Sequence, residues 1–323
     1  MAYVVEKVLS ERGNSAQVYL ASNPEFLREG LALRDTLYPD RIVVGAKDSR
    51  AVEALRLLYR PILEQTFEPP TFLPRPEGYM PPPLITTDPT SAEMIKYAAN
   101  AFLAVKISFI NEIAGLCDKV GADVTEVARG IGLDSRIGPR FLSAGLGWGG
   151  SCFPKDTAAL VAMASEFNYS LPIVEAAREV NARQQLLIVE KLQGALKGIR
   201  GQVIGVLGLS FKPNTDDIRE SPAVKLIRLL VERGAHVRAH DPVAIPKARQ
   251  ALSSMEVDFI ENPYKMAEGA DALVLATEWE EYRFLNLREL AECMREPVLV
   301  DARNFFSPEE ARQAGFNYLG VGR

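Results

Sequence analysis

The stretch Gly147 to Asp156, GWGGSCFPKD, sets Cys152 behind Gly149-Gly150-Ser151 and directly before Phe153-Pro154-Lys155-Asp156. Pro154 suits the first position of a helix, which puts Cys152 at or just before the helix start. Free backbone N–H groups and the positive end of the helix dipole would stabilise a thiolate there. Lys155 adds positive charge, and Gly149 and Gly150 admit a ligand close to the backbone. Asp156, one helical turn on, is placed to exchange a proton with a substrate held against the sulfur. The other reading is a small residue beside a helix cap; the Gly-Gly before Cys152 and the Pro-Lys-Asp after it favour the nucleophile.

Three further groups have types suited to chemistry. Lys96 and Asn100 share a face of one helix among apolar neighbours and Tyr97. A buried lysine and asparagine need partners: either a structural network or a developing oxyanion. Glu25 and Glu29 in NPEFLREG follow the Asn23-Pro24 turn, at a strand end where α/β sites form, or else on a solvated face. In FKPNTDDIRESP, Lys212 and Arg219 flank acidic residues after a strand, as in a phosphate site or an ordinary charged loop. Arg303 ends another strand. His240 and Asp241 end a third, where a ribose-binding acid often sits, although little weight rests on them. With two histidines in the chain, histidine-based catalysis is not expected.

The elements that must position these groups follow from pattern. QVYLA and RIVVGA are strand-like, and SRAVEALRLLYRPILEQ is helical. Residues 66–83 are proline-rich and read as an extended linker. A long helix with capping-box spacing at Thr90 to Glu93 runs to a C′ glycine, Gly121. It is apolar on most faces, so burial all round is expected. A short helix follows in DVTEVARGIG, then the cysteine loop and two more helices, the second ending near Lys197. Strands QVIGVLGLSF, AHVRAHD, DALVLATE and PVLVDAR then alternate with helices, as in a doubly wound parallel sheet. Their first turn, GVLGLSF, lacks the Gly-x-Gly-x-x-Gly fingerprint.

Composition bounds the rest. The chain has 323 residues, is 47% hydrophobic and carries a formal net charge of −5, which gives no electrostatic reason to expect nucleic-acid binding. No apolar run of about 18 residues is evident, so no membrane span is expected, and MAYVVEKVLSERGN lacks signal-peptide features. Cys117, Cys152 and Cys293 are odd in number and far apart, with neither disulfide nor metal spacing, so a cytoplasmic protein without a metal is expected.

Taken together, NPEFLREG with PDRIVVGA, SAEMIKYAANAFLAVKISFINE, GWGGSCFPKD and GLSFKPNTDDIRESPA resemble the UDP-glucose 6-dehydrogenases, within the UDP-glucose/GDP-mannose dehydrogenase family. CFPKD and FLREG resemble the UDP-glucose branch, with the GDP-mannose branch as the alternative. The resemblance implies NAD-dependent, four-electron oxidation of the glucose C6 alcohol of UDP-glucose to a carboxylate. Cys152 then matches the nucleophile that forms a thiohemiacetal and a thioester. Lys96 and Asp156 match residues handling the C6 oxygen and a water, Asn100 the oxyanion helper, and Glu25 the carboxylate of thioester hydrolysis. Phe26, Leu27, Phe211, Lys212 and Arg303 match the substrate side, and Phe141, Leu142 and Gly149 belong to the sugar-nucleotide loop. Glu29, Lys155 and Arg219 match cofactor contacts, and Arg136 an arginine reaching a neighbouring subunit.

The resemblance also implies an α/β fold in three parts. These are a remnant of the dinucleotide-binding domain with a proline-rich insertion (1–84), a central long-helix dimerisation domain (85–198) and a C-terminal doubly wound parallel sheet binding the UDP-sugar (199–323). The family begins with Gly-x-Gly-Tyr-Val-Gly, which this chain does not contain. Most of the N-terminal NAD-binding domain is therefore expected to be lacking, and the isolated chain to be inactive. A non-catalytic sugar-nucleotide-binding fragment is the rival reading.

Overall fold

The computed structural model describes residues 2–11 and 18–323, and the chain divides into two compact units, Met1–Ala99 and Asn100–Arg323. The first contains helices α1 (Ala2–Glu11), α2 (Ala32–Leu37) and α3 (Ser49–Leu63). Its strands are β1 (Ala21–Ser22), β2 (Ile42–Ala46) and β3 (Leu84–Thr87). They form a sheet ordered β1-β2-β3, with β3 parallel and β1 antiparallel to β2. The strand expected at QVYLA is mostly absent: Gln17 lies outside the described residues and pairing begins at Ala21. β2 is central and buried, with Val43 and Val44 wholly covered, as its β-branched run requires.

The proline-rich segment is not an extended linker. Tyr38 packs against Phe67 and Tyr79, the Tyr79 hydroxyl donates to the Pro39 carbonyl at 2.6 Å, and the Tyr38 hydroxyl donates to Leu73 O at 3.1 Å. Two tyrosines thus fold residues 66–83 back onto their own unit, an outcome fixed by contacts some 35–40 residues apart that local composition does not encode.

Helix α4 (Pro89–Val120) has 32 residues, about 48 Å at 1.5 Å per residue. Its N-terminus is held by Asp88, which accepts from Ser91 N at 2.9 Å and Ser91 Oγ at 2.6 Å, rather than by a capping box at Thr90. The helix ends at Gly121, φ +75°, as expected. It is not buried all round. Ala104, Ile110, Ala114 and Cys117 are buried, whereas Phe102, Phe109 and Leu116 are 65, 48 and 57% exposed, seven residues apart. By length and composition α4 is apolar enough to cross a membrane, contrary to the expectation that no segment qualifies, and 39% of its most apolar window is buried.

The second unit continues with α5 (Val124–Gly132), α6 (Phe153–Glu166), α7 (Pro172–Leu196), β4 (Val203–Leu207), α8 (Pro222–Glu232), β5 (His236–His240), α9 (Ile245–Ala251) and β6 (Val257–Phe259). Then come α10 (Pro263–Ala267), β7 (Ala272–Leu275), a 3₁₀ turn (Glu280–Phe284), α11 (Leu287–Cys293), β8 (Val298–Asp301), α12 (Pro308–Gln313) and β9 (Asn317–Leu319). The six strands are all parallel, in the order β6-β5-β4-β7-β8-β9. Alternate residues feed the two faces. Ile204, Val206, Ala272, Val274, Val298 and Val300 join a core with α4, α7 and α8. Leu207, Leu273, Leu275 and Leu299 join one with Met266, Leu290 and Phe316. Burial on both faces explains why these strands are continuous apolar runs rather than alternating ones.

Candidate active site

Cys152 is the N-cap of α6, with Pro154 in the first turn. It is half-buried, and its thiol lies 3.7 Å from Ser151 Oγ. Asp156, 1% exposed, accepts at Oδ2 from Asn100 Nδ2 at 2.6 Å. Its Oδ1 lies 2.8 Å from Lys155 Nζ, without hydrogen-bond geometry. The helix start thus carries a thiol, a buried carboxylate one turn on, and an amide from α4 bonded to that carboxylate.

Lys96 is placed with Glu25 in the first unit. Its ammonium donates to the Glu25 backbone carbonyl at 2.6 Å and pairs with the Glu25 carboxylate, whose other oxygen accepts from Leu27 N at 2.7 Å. This is the partner that a mostly buried lysine demanded. The strand-end segment is fixed by Asn23, which donates to Val43 O at 2.8 Å, and by the Arg28–Asp35 pair. Phe26 lies under the Arg41 guanidinium at 3.9 Å, Leu27 is 42% exposed, and Glu29 is half-buried.

The loop before Cys152 is enclosed by backbone contacts. Phe141 takes φ +65° and its ring meets Phe153, while Leu142 is buried. A side chain on Gly149 would run into the Glu220 carbonyl, and one on Gly150 into the Phe211 ring, so both glycines are required by close approach. Lys212 Nζ sits 5.3 Å from that ring's centre. Arg219 pairs with Asp217, and Gly150 N donates to Arg219 O at 3.0 Å. Arg303 is 15% exposed. It donates to Ala276 O at 2.8 Å and Gly147 O at 3.2 Å, and faces Glu278 at 3.3 Å, so it ties the cysteine loop to the ends of β7 and β8. Arg136 is 87% exposed and pairs with Asp134.

Several residues that hold this loop carry no sequence signal. Asn181 and Gln185 on α7, Asn111 and Ser108 on α4, and Glu278 read as ordinary polar positions. His240 and Asp241 are structural. Burial lowers the His240 pKa, and its Nδ1 meets the Tyr282 hydroxyl at 2.9 Å. Asp241 accepts from Leu209 N, Ser210 N, Val243 N, Ala244 N and Trp279 Nε1. The three cysteines are free, and among the described residues no cluster suits a metal ion.

A dinucleotide pyrophosphate needs unspent N–H groups at a strand-to-helix turn. The turn after β4 donates Leu209 N and Ser210 N to Asp241. The turn after β2 leads into α3, capped by the Asp48 carboxylate, which Arg50 holds down at about 2. Gly145 to Gly150 has Gly-x-Gly-x-x-Gly spacing, but no strand precedes it and four of its N–H groups are bonded within the protein. These described turns do not fit the pyrophosphate.

The fold and site define a class: a two-unit α/β protein with a cysteine at a helix start beside a six-stranded parallel sheet. The chain belongs to the UDP-glucose/GDP-mannose dehydrogenase family. Residues 1–63 match that family's NAD binding domain, 90–183 its central domain and 205–308 its UDP binding domain. It is 47% identical over 323 residues to a UDP-glucose 6-dehydrogenase of Rhizobium meliloti (strain 1021), covering 99% of this chain and 70% of that protein. It is 45% identical over 304 residues to UDP-glucose 6-dehydrogenase TuaD of Bacillus subtilis (strain 168), covering 94% and 62%. A solved UDP-glucose dehydrogenase from Pyrobaculum islandicum superposes with a TM-score of 0.85 at 40% identity, over 99% of this chain and 67% of that one. The chain thus spans between 62% and 70% of these relatives' lengths. An NAD-binding domain is represented at residues 1–63, and the comparisons do not support the expectation that most of it is lacking or that the chain is inactive.

Proposed function

We propose that this chain carries the sugar-nucleotide and thiol chemistry of an NAD-dependent UDP-glucose 6-dehydrogenase, forming UDP-glucuronate in the cytoplasm. The observation that carries the reading is Cys152 at the α6 N-cap with Asp156 one turn on, bonded to Asn100. In this reading the Cys152 sulfur adds to the C6 aldehyde carbonyl, and its proton passes to the new hydroxyl of the thiohemiacetal. At the thioester stage water adds to the carbonyl carbon, the C–S bond breaks and the thiol is regenerated. Asp156 handles the proton, Asn100 donates to the oxyanion, and Lys96 with Glu25 serves the C6 oxygen and the hydrolytic water. Phe26, Leu27, Phe141, Leu142, Gly149, Phe211, Lys212 and Arg303 form the substrate side, and Glu29, Lys155 and Arg219 the cofactor side. The three-part assignment, 1–84, 85–198 and 199–323, describes cofactor, central and UDP-sugar portions.

A second reading, binding of the sugar nucleotide without turnover, is favoured by the turns that do not fit a pyrophosphate. The purified 323-residue chain is expected to bind UDP-glucose in calorimetry under both readings; the first expects NADH from UDP-glucose and NAD at 340 nm, and the second expects none. Steady NADH formation would show that the chain holds a complete cofactor site. Absence of UDP-glucose binding would refute both readings.

The partner is a second copy. The seven-residue spacing of Phe102, Phe109 and Leu116 matches a helix facing another helix, and Arg136 is assigned to the partner's site. Light scattering at micromolar concentration is expected to give a dimer, and Phe109→Lys a monomer of unchanged helix content. A monomeric unmodified chain would rule the interface out.

A further inference from the structure

The loop from Gly145 to Gly150 is glycine-rich: Gly147 and Gly150 adopt φ +102° and +81°, and such backbone has little preference of its own. Its shape must be imposed from outside. Gly145 N donates to Asn111 Oδ1 at 2.7 Å and Leu146 N to Ala302 O at 2.8 Å. Leu146 O accepts from Gln185 Nε2 at 2.7 Å. At Trp148 the contact is two-sided: its N–H donates to Asn181 Oδ1 at 2.7 Å, and its carbonyl accepts from Asn181 Nδ2 at 3.0 Å. The Trp148 indole N–H donates to Ser108 Oγ at 3.0 Å. Asn181 is 9% exposed, and Gly147 has no room for a Cβ because the Asn181 side chain fills that space.

We propose that Asn181 is a positioning residue for Cys152: its amide clamps both backbone groups of Trp148 and so fixes the glycine loop that delivers the thiol to the start of α6. This rests on the reading of Cys152 as the nucleophile. Trp148 carries the only side chain between Leu146 and Ser151, and its two backbone bonds to Asn181 hold the middle of a run whose ends meet Arg303 at Gly147 O and Arg219 O at Gly150 N. Arg178, three residues before Asn181 on the same face of α7, holds the far side of Cys152 through Pro154 O at 3.1 Å and Thr157 Oγ1 at 2.8 Å. Displacement of a reacting group by 1 Å costs roughly 100-fold in rate, so loop geometry is a functional quantity.

The chemistry of the clamp supplies its own test. In Asn181→Leu both bonds are lost. In Asn181→Asp a protonated carboxyl reproduces the amide, with O–H in place of N–H toward Trp148 O. The ionised form opposes a carboxylate oxygen to that carbonyl. Iodoacetamide labelling of the full chain, followed by peptide mass spectrometry from pH 5 to 9, reads Cys152 directly. Cys293, half-buried like Cys152 and remote from the loop in sequence, serves as the reference and buried Cys117 as the reporter of global unfolding. Asn181→Leu lets Cys152 leave the start of α6, where free N–H groups favour the thiolate, and is expected to lower the Cys152:Cys293 labelling ratio by about tenfold. Asn181→Asp is expected to match the unmodified chain at pH 5 and the leucine variant at pH 9. If Cys117 also labels in Asn181→Leu, the aspartate titration decides. A Cys152 ratio in Asn181→Asp that follows the unmodified chain across the whole pH range, or one unchanged in a folded Asn181→Leu, would overturn the proposal. Failure of UDP-glucose to protect Cys152 in the unmodified chain would instead refute the nucleophile reading, and leaves this comparison standing.

Discussion

Cys152→Ala is expected to abolish UDP-glucuronate formation in any preparation of this chain that turns over, while the isolated chain keeps its affinity for UDP-glucose. An aldehyde cannot lose a second hydride until its carbon becomes tetrahedral, and an acyl intermediate must then be held for hydrolysis. Both tasks fall to the sulfur. Neither remaining cysteine can substitute: Cys117 is buried in the α4 core, and Cys293 donates its thiol proton to Leu290 O at the end of α11, with burial raising its pKa. The measurement is product chromatography for acid and aldehyde, beside calorimetry for binding. Removal of the thiol should lower acid formation by at least about 10³-fold, on the scale of losing a triad nucleophile. Acid produced at more than a few percent of the parent rate would remove Cys152 from its role.

The second large effect concerns stability. Asp241 is 2% exposed, and its two oxygens accept four backbone N–H groups and the Trp279 indole at 2.7–3.1 Å. Asp241→Ala strands these donors at the end of β5, where all but Val243 N belong to buried residues. Each buried donor left unpaired costs about 1–3 kcal/mol, and some recover partners by relaxation. A loss on the order of 3–5 kcal/mol is therefore expected, seen as a fall in Tm of roughly 6–20 °C for a unit of this size. Asp241→Asn keeps one acceptor oxygen and should lose roughly half as much. Thermal unfolding followed by circular dichroism checks both. A fall of only a degree or two in the alanine variant would mean that the turn finds other acceptors. The result bears on function because the same turn leads into Phe211 and Lys212, which are assigned to the substrate.

What the sequence determined by itself is whatever rests on runs of neighbours. β4, β5, β7 and β8 are legible because strands buried on both faces must be continuously apolar and bounded by turns. The helix start at Cys152 is legible because proline in a first turn is a local signal, and Gly121 because a left-handed C′ position needs glycine. The family is legible because long motifs occur in order. The tertiary structure alone decided which polar side chains serve each other. Lys96 and Glu25 are 71 positions apart, and Asn181 and Trp148 are 33 apart. On α7, Asn181 and Gln185 look like a solvated face, yet both are buried against the cysteine loop. Asp241 stands where a ribose-binding acid would and instead holds a turn together, since nothing local distinguishes a carboxylate facing a ligand from one facing five N–H groups. The exposed stripe on α4 and the folded-back proline segment were hidden for the same reason. Composition reports how apolar a segment is, and only packing decides which of its faces finds a partner.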